Sequence, residues 1–262
     1  MKSNNYIKYL NNIKRTKIII KITRLTILIL IFLIWQLLAD KNLINTFITS
    51  SPKLIIKTIT NLYKTNNLFN NISITIYETI ASFTISTLLG IIIATILWYN
   101  KFLYKVLDPY LTILNSLPKV ALGPILIILL GANIKTIIIT SILISIITTI
   151  ISIYNGFQST DINKIKLLKS FNANKKQILK YLILPYNYKT IISTLKITLS
   201  LSLIGVITAE LLVSKEGLGY LIMYGRNVFN LNLVVTGILI LMIVSYLLYL
   251  LICYIEKILI KH

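Results

Sequence analysis

Six apolar runs, at residues 25–39, 72–99, 109–131, 134–154, 190–213 and 231–255, leave this chain few folds to choose from. A helix of about 20 apolar residues crosses the ~30 Å hydrocarbon core of a bilayer. In lipid each backbone N–H and C=O must be paired within the protein, and a helix pairs them within one segment. The predicted fold class is all-α, a polytopic membrane protein of about six transmembrane helices. A 56% hydrophobic content with only 13% charged residues excludes a soluble domain.

The shortest run, 25–39, follows a basic segment, residues 1–24, that holds seven Lys or Arg and no acid. A signal peptide has that outline, but here the basic region is long and no small-residue cleavage pattern follows. Ile18 to Ile20 lengthen the oily stretch while Lys21 and Arg24 can snorkel, so the run reads as an uncleaved first span. Residues 1–24 then form an N-terminal segment and 25–262 the transmembrane domain. Between the first two spans, Pro52 opens a short amphipathic helix reaching Lys64. Glu78 and Gly90 interrupt the second span, and residues 100–108 form a short loop.

A net charge of +20 invites a nucleic-acid reading, but long oily runs divide that charge among short loops. With the N-terminus inside, the inner segments carry 18 Lys and Arg and the outer ones 7, and Lys119 and Lys196 fall within spans. The positive-inside rule is met, which puts both termini and residues 155–189 in the cytoplasm. No nucleic-acid partner is expected.

The third run contains Pro109, Pro118 and Pro124. Prolines free backbone carbonyls, which are tolerated in a membrane against neighbouring helices or a water-lined cavity. Asn115, Pro118, Lys119 and Pro124 are accordingly candidates to line a transport path, with a kinked helix packed on protein as the other reading. Lys119 favours the path, because charges within spans face the bundle interior or an aqueous cavity. Glu210, near the outer end of the fifth span, joins the candidates. Glu78 and Glu210 could also relay protons or serve packing.

Several chemistries are excluded. No GxxxxGK[ST] occurs, so the chain has no P-loop with which to hold ATP. The single histidine is His262 and the single cysteine is Cys253, which removes the usual metal sites and nucleophile–base arrangements. No catalytic residue, metal or cofactor is predicted, and energy must come from a partner.

The connection at 155–189 is more than a link. Asp161 can cap a short helix carrying Ile162, Ile165, Leu168 and Lys169 at helical spacing. Asn172 interrupts it, tolerating a left-handed backbone better than other non-glycine residues. A second helix from Ala173 carries Ile178, Leu179, Leu182 and Ile183 on one side until Pro185 stops it. The pair exposes an apolar stripe among lysines, which calls for a protein partner to cover it.

This pattern resembles the cytoplasmic loop of bacterial ABC importer permeases, whose consensus is Glu-Ala-Ala, three residues, Gly, nine residues, then Ile-x-Leu-Pro. Leu182-Ile183-Leu184-Pro185 puts the family's glycine at Asn172 and its Glu-Ala-Ala at Lys166-Leu167-Leu168. Spacing agrees; the glutamate is a lysine here. The Gly-x-Gly at Gly217 and Gly219 resembles the family's external turn. The likeness runs from about Ser51 to Ile258, nearest to permeases of sulfonate, taurine, nitrate and thiamine-precursor importers.

The resemblance implies a type I ABC importer permease in the bacterial inner membrane, with cargo among small organic anions or a thiamine pyrimidine precursor. It implies a cytoplasmic ABC ATPase dimer, a second permease copy and an extracytoplasmic substrate-binding protein as partners, besides the bilayer. Ile165, Lys166, Leu167, Leu168, Ser170, Phe171, Asn172, Ala173, Leu182, Leu184 and Pro185 would contact the ATPase. The alternative is a proton-coupled carrier or proton-conducting subunit using Glu78 and Glu210.

Overall fold

The computed structural model describes residues 4–65 and 67–260. His262 and the extreme N-terminus of the basic segment lie outside the described residues. Every regular element among them is helical: α1 (Asn4–Asp40), α2 (Thr46–Thr49), α3 (Pro52–Lys64), α4 (Asn67–Tyr99), α5 (Lys101–Ser116), α6 (Gly123–Leu130), α7 (Ile134–Gln158), α8 (Ile162–Ser170), α9 (Lys175–Ile178), α10 (Leu184–Tyr186), α11 (Tyr188–Val213), α12 (Leu218–Asn227) and α13 (Leu231–Ile260). Five are long and apolar enough to cross a membrane, and α5 with α6 makes up to six.

Three of the long helices, α4, α7 and α11, form the centre, and small polar residues let them approach closely. Ser145 Oγ donates to Ser86 Oγ at 2.7 Å, Ser141 Oγ to the Ser202 carbonyl at 2.8 Å, and the hydroxyls of Thr149 and Thr198 lie 2.7 Å apart. A Cβ on Gly205 would sit 2.6 Å from Ser141 Cα, and one on Gly90 2.6 Å from Thr149 Cγ2. Lipid tails are as apolar as isoleucine, so burial drives these contacts little; close packing and interhelical hydrogen bonds of about 0.6 kcal/mol each carry them. The Ile- and Leu-rich faces point outward, as on α1, whose apolar side chains from Ile18 to Leu33 are exposed.

Four expectations change. Glu78 and Gly90 do not interrupt α4, because Glu78 is buried against α11 and Gly90 is the contact point with Thr149. Residues 101–108 are helical rather than loop, since Asn100 caps them by accepting from the N–H groups of Phe102 and Leu103. The run 109–131 is no single helix: α5 and the segment Lys119–Leu130 meet at 87°. Pro118 stands at that break and Pro124 in the first turn of α6, where its missing N–H costs nothing. The fourth change concerns Pro185.

Candidate functional site

The connection from α7 to α11 is built by local caps. Asp161 accepts from Asn163 N–H at 2.8 Å to start α8. The helix ends on Asn172 at φ 59°. There Asn172 N–H donates to the Lys169 carbonyl at 2.9 Å and Ala173 N–H to that of Leu168 at 3.0 Å, the paired bonds of a Schellman turn. Asn174 and Gln177 then cap each other's N–H groups, so the second helix begins at Lys175, two residues after the predicted start.

Pro185 does not stop that helix. Its ring would clash with the carbonyl four residues back in a regular helix. Residues Leu179–Ile183 widen into a π turn instead, with Leu184 N–H donating to the Leu179 carbonyl. The chain runs on through α10 to Asn187, whose buried amide donates to Thr160 Oγ1 at 2.7 Å and to the Ile183 carbonyl at 2.9 Å. The bond to Thr160 fastens the start of α11 to the residues just after α7.

The predicted stripe divides between two faces. Ile178 and Ile183 are buried in a core with Leu97, Ile153, Tyr154 and Phe157. Ile165, Leu168, Ala173, Leu179, Leu182 and Leu184 are half-buried and pack against that core. The apolar side chains left outside on α8 and its turn are Ile162, Leu167 and Phe171, the last 73% exposed, beside exposed Lys166, Ser170 and Asn172; further along, Tyr181, Pro185 and Tyr186 are exposed too. Beneath α8 lies a cavity of about 910 Å³ whose lining includes Trp98, Tyr99, Lys101, Ile165, Lys169 and Lys175.

At the break between α5 and α6, Lys119 is half-buried. Its ammonium reaches Asn115 Oδ1 (3.2 Å), the Ile144 carbonyl (3.1 Å) and Thr148 Oγ1 (3.5 Å). Thr148 also donates to Asn115 Oδ1 at 2.9 Å, so α5 and α7 share one polar knot. Asn115, Pro118 and Pro124 face outward, on a surface with exposed Ile113, Leu117, Val120, Ile125 and Ile128.

At the opposite end, the start of α12 is capped by other helices. Its first N–H groups take three partners: Gly217 N–H donates to Asn71 Oδ1 (2.7 Å), Leu218 N–H to Thr75 Oγ1 (2.8 Å) and Gly219 N–H to Glu210 Oε2 (2.5 Å). Gly217 adopts φ 106°, and a Cβ there would collide with the Glu210 carboxyl. Glu210 is fully buried in this junction rather than set on an open surface with Asn115 and Lys119. Asn71 and Thr75 escape a motif search. Their signal is a polar ridge, Asn71, Thr75, Glu78, Ser82 and Ser86, at helical spacing along a helix otherwise apolar.

Comparison with known proteins gives one consistent result. The family model for "binding-protein-dependent transport system inner membrane component" matches residues 86–261. The putative aliphatic sulfonates transport permease protein SsuC of Bacillus subtilis is 26% identical over 215 residues, covering 82% of this chain and 78% of that protein. The formylaminopyrimidine transport permease protein ThiX of Halalkalibacterium halodurans is 27% identical over 136 residues, 52% of this chain and 54% of that one. In three dimensions the chain is similar to a chain of the MetNI methionine ABC transporter in an inward-facing conformation, with a TM-score of 0.60 at 20% identity, over 70% of this chain and 93% of that one.

Proposed function

The chain belongs to the family of binding-protein-dependent transport system inner membrane components, and from that membership we propose how its two ends divide the work of import. It is a multi-pass inner-membrane permease subunit of an ABC importer, a transport subunit and not an enzyme. A partner ATPase and a substrate-binding protein belong to such a system.

Two copies pack their outward faces at α5 and α6 against each other and enclose the path, with Lys119, Asn115 and Pro118 along it. Both termini and the α8–α10 connection lie in the cytoplasm. There Phe171 and Leu167 enter a groove on the ATPase, in the helix-in-groove mode. The single observation that supports this is the exposure of Phe171 and Leu167 at the end of α8, beside Ile178 and Ile183 that are buried and Ile165, Leu168 and Ala173 that are half-buried against the same core. A rigid knuckle with two uncovered anchors transmits a push; a floppy loop absorbs it. Motion of the groove then passes through Ile178, Ile183 and Asn187 into α7 and α11.

On the outer face, α3 and α12 receive the binding protein. Cargo is a small organic anion, or a pyrimidine precursor of thiamine, in line with the relatives whose names mention sulfonates and formylaminopyrimidine. The test is co-purification with the cognate ATPase. Phe171→Asp with Leu167→Asp abolishes capture at unchanged membrane insertion, and capture at wild-type yield refutes the contact.

A further inference from the structure

Two acidic side chains lie inside the spanning bundle, and among the described residues no basic side chain is bonded to either. Glu78 on α4 and Glu210 on α11 have no solvent exposure, and their carboxyls are within hydrogen-bonding reach of each other. Thr75, one turn before Glu78 on the same face of α4, touches Glu210 directly, which fixes the two helices face to face. Among the residues lining the adjoining cavity of about 310 Å³, Lys215 is the one cation, and it is exposed; Glu216 beside it is exposed too.

The donors around the two acids are unequal. Glu210 Oε1 accepts from the Thr75 hydroxyl at 2.7 Å and Oε2 from Gly219 N–H at 2.5 Å. Among the described residues none donates to Glu78, both of whose oxygens are buried. An ionised carboxylate only accepts, so in that position it would be desolvated and unpaired, whereas a carboxylic acid has an O–H to give. The acceptor within reach is Glu210, which already has the surroundings of an anion: two donors and the N-terminus of α12.

We propose that Glu78 and Glu210 form a proton-binding site that holds one proton, carried by Glu78 and donated to the Glu210 carboxylate. One proton for two carboxyls leaves one negative charge, and that charge holds the first turn of α12 against α4 and α11. The proton thus clasps the outer helix to the transmembrane core, a role separate from the ATPase contact and independent of it. Protons reach the pair from the cavity bordered by Asn133 and Ser214.

The site is read by infrared absorption of the full-length chain in lipid nanodiscs at neutral pH. The expected spectrum has a carboxylic-acid carbonyl band that shifts down in D2O, disappears in Glu78→Gln and persists in Glu216→Gln. Melting temperature supplies a second reading. Glu78→Gln stays within about 3 °C of wild type, because its amide replaces the O–H as donor, while Glu210→Gln falls by at least twice that, because an NH2 now faces a donor. Absence of the band from wild type, or its survival in Glu78→Gln, overturns the proposal. So does a melting temperature that rises when sodium or potassium replaces choline at constant ionic strength, since the occupant is then a metal cation.

Discussion

The hydroxyl of Thr75 lies 2.7 Å from Glu210 Oε1, joining residues 135 positions apart in sequence, and that hydroxyl also accepts from Leu218 N–H. One side chain on α4 therefore holds α11 and the start of α12 together. Thr75→Val keeps the volume and removes both bonds. It should cost about 1–3 kcal/mol, the penalty for leaving a buried donor unpaired, whereas Thr75→Ser should cost well under half as much. Denaturant unfolding of the nanodisc-embedded chain, followed by tryptophan fluorescence, measures the difference.

Two glycines with positive φ should respond unequally to alanine. At Gly131, with φ 79°, an added methyl would find its nearest neighbour, Asn133 Nδ2, 3.5 Å away, so Gly131→Ala carries only the backbone cost of about 1–3 kcal/mol. At Gly217 the same cost is joined by a collision with the Glu210 carboxyl. Gly217→Ala should unfold at clearly lower denaturant concentration than Gly131→Ala, and α12 should become the protease-sensitive element.

The turn at Asn172 gives a third expectation. Its φ of 59° suits glycine, so Asn172→Gly should keep ATPase capture at wild-type level. Proline cannot adopt that angle and has no N–H for the Lys169 carbonyl. Asn172→Pro should lose capture while the chain still inserts, as read by pull-down from solubilised membranes.

Orientation is open to direct labelling. In a Cys253→Ser background, Ser170→Cys on the exposed end of α8 should react with a membrane-impermeant maleimide only from the cytoplasmic side. Glu216→Cys, exposed just before α12, should react only from outside. Reversal of both patterns inverts the topology.

The spans and the helix–turn–helix at Asp161 to Ile178 were legible because hydropathy, caps and a left-handed asparagine are local signals. Which side of an apolar stripe meets which partner is not local. Ile178 and Ile183 look like Phe171 in a periodicity analysis, yet they are buried under Tyr154 and Phe157, which arrive from α7. Pro185 misleads for a related reason. A proline predicts a stop where the helix must stay regular, and the π turn before it removes that condition. Glu78 and Glu210 each stand out in the sequence as acids within spans, but their adjacency is not legible there, since nothing in the ridge on α4 names α11 as its neighbour.

The most direct test of the central claim uses the importer reassembled in proteoliposomes with its ATPase and binding protein, measuring ATP hydrolysis with and without loaded binding protein. With wild-type permease, hydrolysis should rise on addition of the loaded protein; with Phe171→Asp and Leu167→Asp it should stay at the rate of the ATPase alone. Full stimulation in the double variant would contradict the account, because the two uncovered side chains on the α8 turn would then carry no signal.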